Sequence, residues 1–248
     1  VVKVEADIAN ANESVPDLLE QIEREIMPEL MRQYPDVSYD FEGQSRESGK
    51  TTGSMKTIFP VLLGLMFLAV VFSFRSFLQA FMVFIMIPFS LVGVVWGHFV
   101  MGYILSILSL FGVVALIGIV INDSLVFVNT FNNRLKEGGK LKDVIFQVGI
   151  SRFRPIVLTS LTTIAGLGPL MFEPSRQAQF LVPMAVSVAF GLLFGTILTL
   201  LMLPALLVLF NKLRLLASRV VKGSWPAPET VEPAVREDVF RQEEASHA

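Results

Sequence analysis

Apolar residues dominate five long runs of the chain, and polar residues collect at the joints between them. A helix that crosses a bilayer needs about 20 mostly apolar residues, and only a helix or a closed barrel satisfies its own backbone in lipid. By that test the chain predicts five spans, at about 57–74, 78–101, 105–131, 155–172 and 180–210. The fifth is long enough that it must tilt, kink or protrude. Pro88, Pro169, Pro183 and Pro204 are the expected kink or end points, which neighbouring helices tolerate in a bundle.

Before the first span the pattern changes. VVKVEADI at the start and VSYDFE at 37–42 alternate as half-buried strands do. Between them Leu18, Leu19, Ile22, Ile26 and Leu30 recur at helical spacing, with Ser14 as N-cap, Pro16 in the first turn, and Pro28 placed to kink or end the helix. Residues 1–43 therefore predict a β-α-β piece, too small to bury a core alone, that completes a domain whose other half lies elsewhere. The Gly-, Ser- and Thr-rich stretch that follows reads as a polar connector over 44–56.

Between the third and fourth spans, Leu141, Val144, Ile145, Val148 and Ile150 form an apolar stripe flanked by Lys140, Lys142 and Arg152. An amphipathic helix lying along the membrane interface at about 140–151 fits this pattern. An ordinary connecting helix packed on the bundle fits it equally. Residues 214–248 form a tail, Pro- and Glu-rich from Gly223 onward, that is expected to be disordered.

Composition agrees with a membrane protein: 53% of residues are hydrophobic, 21 are Phe, and the mean hydropathy is +0.62. Charge is uneven along the chain. No Asp, Glu, Lys or Arg occurs between Arg75 and Asp123 or between Arg176 and Lys212. The fold class is thus a mainly α-helical polytopic membrane protein, a five-span helix bundle with the lipid bilayer as its surroundings. A net charge of -2 points to no nucleic-acid partner. With no Cys there are no disulfides or thiolate sites, and with only His98 and His247 no His-based metal site or cofactor is expected. The chain opens at Val1 inside a strand-like pattern, without an initiator Met or a leader, so it reads as a fragment of something longer.

Basic residues set the orientation. Arg75, the group Arg134, Lys136, Lys140, Lys142, Arg152 and Arg154, and the group Lys212, Arg214, Arg219 and Lys222 fall on one side. By the positive-inside rule that side is cytoplasmic, which places the N-terminal piece across the membrane and the C-terminus in the cytoplasm.

The third span carries Asn122 and Asp123 near its middle. A carboxylate at that depth costs roughly 2.5–3.5 kcal/mol on insertion scales, which makes Asp123 a functional-site candidate. A buried acid held protonated as a structural donor is the alternative. Ala115, Gly118, Asn122, Asn129 and Asn133 recur at spacings of three, four and seven, a small and polar strip suited to close helix contact. In that setting Asn122 serves packing and hydrogen bonding as readily as transport. On the fourth span, most of Thr159, Thr162 and Thr163 are expected to bond to their own helix, with Thr159 kept as a candidate. Arg152 and Arg154 are ordinary anchors at a cytoplasmic end unless something further singles one out.

GIVINDSLVFVN, a basic segment, and then SRFRPIVLTSLTTIAGLGPLMF resemble the C-terminal half of resistance-nodulation-division (RND) exporters, in the hydrophobe/amphiphile efflux branch. PVLLGLMFLAVVFSFRSFLQAFMVFIMIPFSLVG extends the likeness, which runs from about Val1 to Leu213. The resemblance implies that the spans are the eighth to twelfth of such a transporter and that 1–43 belongs to its periplasmic porter region. It also implies secondary active transport rather than enzymatic catalysis: drug:proton antiport in the bacterial inner membrane. Amphiphilic small molecules would be the cargo, and the partners would be the transporter's N-terminal half, a homotrimer, a periplasmic adaptor and an outer-membrane channel. Family members relay protons among two acids on the fourth span, a Lys on the tenth, and an Arg and a Thr at the start of the eleventh. Arg152 and Thr159 match the last two; Asn122 stands in the Lys position and Asp123 in that of the Asn after it.

That departure removes a cation which would neutralise the paired acids and release them on protonation. Asp123 then either joins the proton-carrying set or leaves Arg152 as the only counter-charge, and a degenerate relay in a non-transporting or assembly-only subunit is the alternative. An intramembrane aspartyl protease needs two carboxylates sharing a proton, whereas these spans offer Asp123 alone.

Overall fold

The computed structural model describes residues 4, 15–35, 37–39, 44–175, 178, 181–222 and 227–235. Among them α1 (Val15–Gln21), a π-helical stretch (Ile22–Ile26) and α2 (Met27–Gln33) form one helical run. Pro28 neither ends nor interrupts it. Proline removes an amide and crowds the carbonyl four residues back, and the wider π turn immediately before it relieves that conflict. Ile26, Leu30 and Met31 of this run, and Tyr34 just after it, are exposed. The β-α-β expectation is not met where it can be checked, since Val37–Tyr39 is not strand. The remainder of both expected strands and the Ser14 cap lie outside the described residues.

Five helices are long and apolar enough to cross a membrane: α3 (Gln44–Phe74), α4 (Phe77–Met101), α5 (Ile107–Lys136), α6 (Leu141–Met171) and α7 (Val182–Lys222). The protein is therefore a helical, multi-pass membrane protein. Their ends follow local chemistry. Ser76 caps α4 by accepting from the Gln79 amide at 3.4 Å, and α4 stops at Gly102, whose φ of 70° is the left-handed conformation glycine adopts without strain. At the start of α5, Ser106 and Ser109 each accept from the other's amide, at 3.3 and 3.1 Å, a reciprocal capping box.

Three boundaries differ from expectation. The polar stretch after residue 43 is helical and continues into the first span as α3, because a long apolar helix below it carries the weak helix formers above. The stripe of Leu141, Val144, Ile145 and Val148 is the buried face of α6, which runs unbroken through Pro155 into the fourth span. It packs on the bundle; no separate interfacial helix forms. At 41 residues α7 is the longest helix. At 1.5 Å per residue it is about 60 Å long, twice a hydrocarbon core of about 30 Å, so it protrudes. Pro183 sits in its first turn, where a missing amide costs nothing, and Pro88, Pro169 and Pro204 lie inside continuous helices.

The described parts of the expected tail, 214–222 and 227–235, depart furthest from expectation. Residues 214–222 extend α7, and 227–235 pack back on the bundle, with Glu232 1% and Ala234 6% exposed.

The element at the centre is α7, which packs against α4, α5 and α6, while α3 lies at the edge against α4 and α5. Small residues make the close seams possible. A Cβ on Gly93 would lie 2.5 Å from the Phe190 carbonyl oxygen and 2.6 Å from the Phe194 Cβ, and one on Gly112 would lie 2.6 Å from the Met184 carbonyl oxygen. Gly97 lies under Phe190, and Gly191 under Leu116. In lipid such close approach supplies the dispersion that burial from water supplies elsewhere. Two polar bridges reinforce the seams. The Gln79 and Asn132 side-chain amides exchange two bonds of 2.9 Å between α4 and α5, and the Ser160 and Thr196 hydroxyls meet at 2.6 Å between α6 and α7.

Candidate functional site

The small and polar strip on α5 faces away from these seams. Ala115, Asn122, Asn129 and Asn133 are exposed, Gly118 and Asp123 are half-buried, and a Cβ on Gly118 would meet only open space. Successive residues turn by about 100° round a helix, so Asn122, Asp123 and Ser124 point outward, sideways and inward. Ser124 is fully buried, and its hydroxyl has no hydrogen-bond partner among the described residues. Neither Asn122 nor Asp123 has a hydrogen bond or ion pair among the described residues.

The four candidates do not converge. Arg152 reaches across from α6, and its Nε donates to the Thr130 hydroxyl at 2.8 Å, while that hydroxyl donates to the Val126 carbonyl at 2.8 Å. Thr130 lies seven residues beyond Asp123, about 10 Å along the helix at 1.5 Å per residue. Arg152 is thus attached to the same helix as Asp123 but two turns away. Thr159 is exposed on α6, and its hydroxyl donates to the Ile156 carbonyl at 2.9 Å. It makes the same kind of own-helix bond as Thr162 and Thr163, whose hydroxyls donate to the Thr159 carbonyl at 2.9 and 2.8 Å. Along the same helix Gly149, Gly166 and Gly168 are open like Gly118. Asn122 on α5 and Thr159 on α6 thus lie on exposed faces, and of the four candidates Asn122 and Asp123 are the two left without a partner among the described residues.

Other polar sites went unforeseen. Gln79 stands in an apolar stretch, whereas Asn132 lies beyond Asp123 among Asn129, Thr130 and Asn133, so nothing in the sequence paired the two amides. His98 is buried, with Nε2 2.8 Å from the Ser109 hydroxyl and Nδ1 3.0 Å from the Val94 carbonyl, so the α4–α5 corner uses both ring nitrogens. An apolar groove of about 260 Å³ runs between α6 and α7, where Ser160 and Thr196 spend their hydroxyls on each other.

An apolar five-helix bundle with a carboxylate set into one span, unpartnered among the described residues, is a multi-pass membrane domain that keeps an ionisable group at bilayer depth. The chain belongs to the AcrB/AcrD/AcrF family of RND transporters, whose family model matches residues 1–211. It is 28% identical over 183 residues to the swarming motility protein SwrC of Bacillus subtilis (strain 168), an alignment that covers 73% of this chain and 17% of that protein. Its fold is similar to the crystal structure of a heavy metal efflux pump, with a TM-score of 0.62 and 23% identity, over 80% of this chain and 19% of the pump. The chain thus spans less than a fifth of the length of each of these relatives.

Proposed function

We propose that this chain is the C-terminal part of a proton-driven exporter of amphiphilic compounds, in which the open side of α5 and α6 is closed by the transporter's N-terminal half. The observation that carries this reading is the unpartnered pair Asn122 and Asp123 on an uncovered strip, with Arg152 held to the same helix through Thr130. A polar strip in hydrocarbon is stable only when another helix supplies its partners. The paired acids of the relay would come from that missing half, so this part alone does not transport. Asp123 would carry part of the proton traffic that a Lys next to it controls in the resemblance, and Thr159 and Arg152 would meet the same acids from α6.

The remaining assignments follow the same reading. The basic end faces the cytoplasm of a bacterial inner membrane, residues 1–43 belong to a periplasmic porter, residues 57–213 form the membrane bundle, and the assembly is a homotrimer working with an adaptor and an outer-membrane channel. The cargo of the heavy metal pump is not transferred at this level of identity. The test is proton-driven efflux from vesicles containing the full-length parent, comparing Asp123→Asn with wild type at matched expression. Efflux falls by at least about tenfold, a change of roughly 1.4 kcal/mol in the coupled step, while folding and assembly persist. Unchanged efflux assigns Asp123 a structural role, and a wild type that moves nothing favours the non-transporting subunit.

A further inference from the structure

The basic end of the bundle holds a constellation that the transport reading does not use. Arg214 and Asn211, three residues apart on one face of α7, both bind Glu232: the Arg214 guanidinium forms an ion pair with its carboxylate, and the Asn211 amide donates to it at 2.8 Å. Asn211 also donates to the Pro228 carbonyl at 2.7 Å, and Arg214 Nη2 lies 3.4 Å from the hydroxyl of Ser76, the cap of α4. Three residues before Glu232, Glu229 accepts from the Leu141 amide at 3.0 Å. Leu141 is the first residue of α6, and Lys140 before it supplies no side-chain cap. Glu229 therefore caps α6 from a distance of 88 residues in sequence.

We propose that the ends of α4, α6 and α7 form a docking site for an acidic helical-turn peptide, filled here by the chain's own residues 227–235, and that the docked segment straps α6 to α7. The site demands an anion. With the segment docked, the side chains of Arg214 and Glu232 are only 10% and 1% exposed, so the two charges are shielded from water together and an uncharged occupant in the same place would strand the guanidinium. Its geometry favours a turn, because a coiled backbone puts carboxylates three residues apart on one side, where Glu229 reaches the start of α6 and Glu232 reaches Asn211 and Arg214 on α7. The segment is already so arranged, with Thr230 and Glu232 amides donating to the Ala227 and Glu229 carbonyls at 3.1 and 3.2 Å. Ala234 is buried and Val235 packs against the hydrophobic core, which adds an apolar anchor to the two charged ones. The strap fixes the start of the helix that carries Arg152 and Thr159. It does so whatever cargo the transporter moves.

The experiment uses the full-length parent in lipid nanodiscs, truncated after Lys222, with a dye-labelled synthetic peptide of residues 223–240 as the probe. The peptide binds the truncated transporter at least about tenfold more tightly than the intact one, whose site is filled, and slows hydrogen exchange at amides 141–144 by about tenfold, as expected for restoring one capping bond and its neighbours. A peptide carrying Glu229→Ala and Glu232→Ala does neither. Equal binding to intact and truncated protein, equal binding of the two peptides, or unchanged exchange at 141–144 overturns the proposal. Should truncation prevent assembly, Glu229→Ala in the intact chain serves instead, since it spares the Arg214–Glu232 pair. It speeds exchange at 141–144 severalfold and leaves the later turns of α6 alone; no change there overturns the strap.

Discussion

On the side of α5 that meets α7, Gly112 lies beneath the Met184 carbonyl; on another side, six residues along, Gly118 faces open space. The same contrast runs through the bundle. Gly93, Gly97 and Gly191 are each pressed against a side chain or carbonyl of a neighbouring helix, whereas Gly118, Gly149, Gly166 and Gly168 touch nothing beyond their own helix. Polar groups divide in the same way: Gln79, Asn132, Ser160 and Thr196 are paired across the seams, and Asn122 and Asp123 on the open side are not. Small residues at helical spacing mark helix contact in a membrane. One set has found its contact within this chain, and the other has none among the described residues.

Substitutions should separate the two sets. Gly191→Leu places a branched side chain where Leu116 and Val94 already sit, and is expected to cost about 3 kcal/mol or more by overpacking, seen as loss of folded, extractable protein. Gly118→Leu leaves this half folded and blocks its closure by the rest of the transporter, seen as lost activity at normal expression. If both behave alike, the distinction between seam and strip fails. A smaller effect is expected at the amide bridge. Gln79→Leu strands the Asn132 amide and lowers thermal stability by about 1–2 kcal/mol, while the double change to Leu at both positions recovers most of it. The smallest belongs to Thr130→Val, which removes the acceptor of Arg152 and costs about 1 kcal/mol or less, since the pair is only part-buried.

Much of this architecture was legible in the sequence because the bilayer imposes one dominant rule. Apolar runs of about 20 residues are what a spanning helix requires, and the five helices fall on the five runs at about 57–74, 78–101, 105–131, 155–172 and 180–210. The strip on α5 was legible as well, from spacing alone. What spacing could not tell was whether its partner lay in the same chain, because Gly112 and Gly118 look alike until their neighbours are placed. The docked segment was hidden for a related reason. Residues 227–235 are Pro- and Glu-rich, a composition that normally stays solvated, and Glu232 becomes buried only because Arg214 and Asn211, 18 and 21 residues away, meet it. The helix over 44–54 was hidden by local propensity, which the apolar span after it overrides.

The claim on which the rest depends is that protein, not lipid, covers the open side of α5 and α6. A photoreactive diazirine side chain at Val126, on the strip and 39% exposed, tests it in the full-length parent in native membranes, with Phe99, 77% exposed on α4, as the reference. Irradiation at position 126 is predicted to give peptide adducts within the N-terminal half of the same polypeptide, whereas position 99 gives lipid adducts. Lipid adducts alone at both positions would contradict the account, because Asn122 and Asp123 would then face hydrocarbon without a partner.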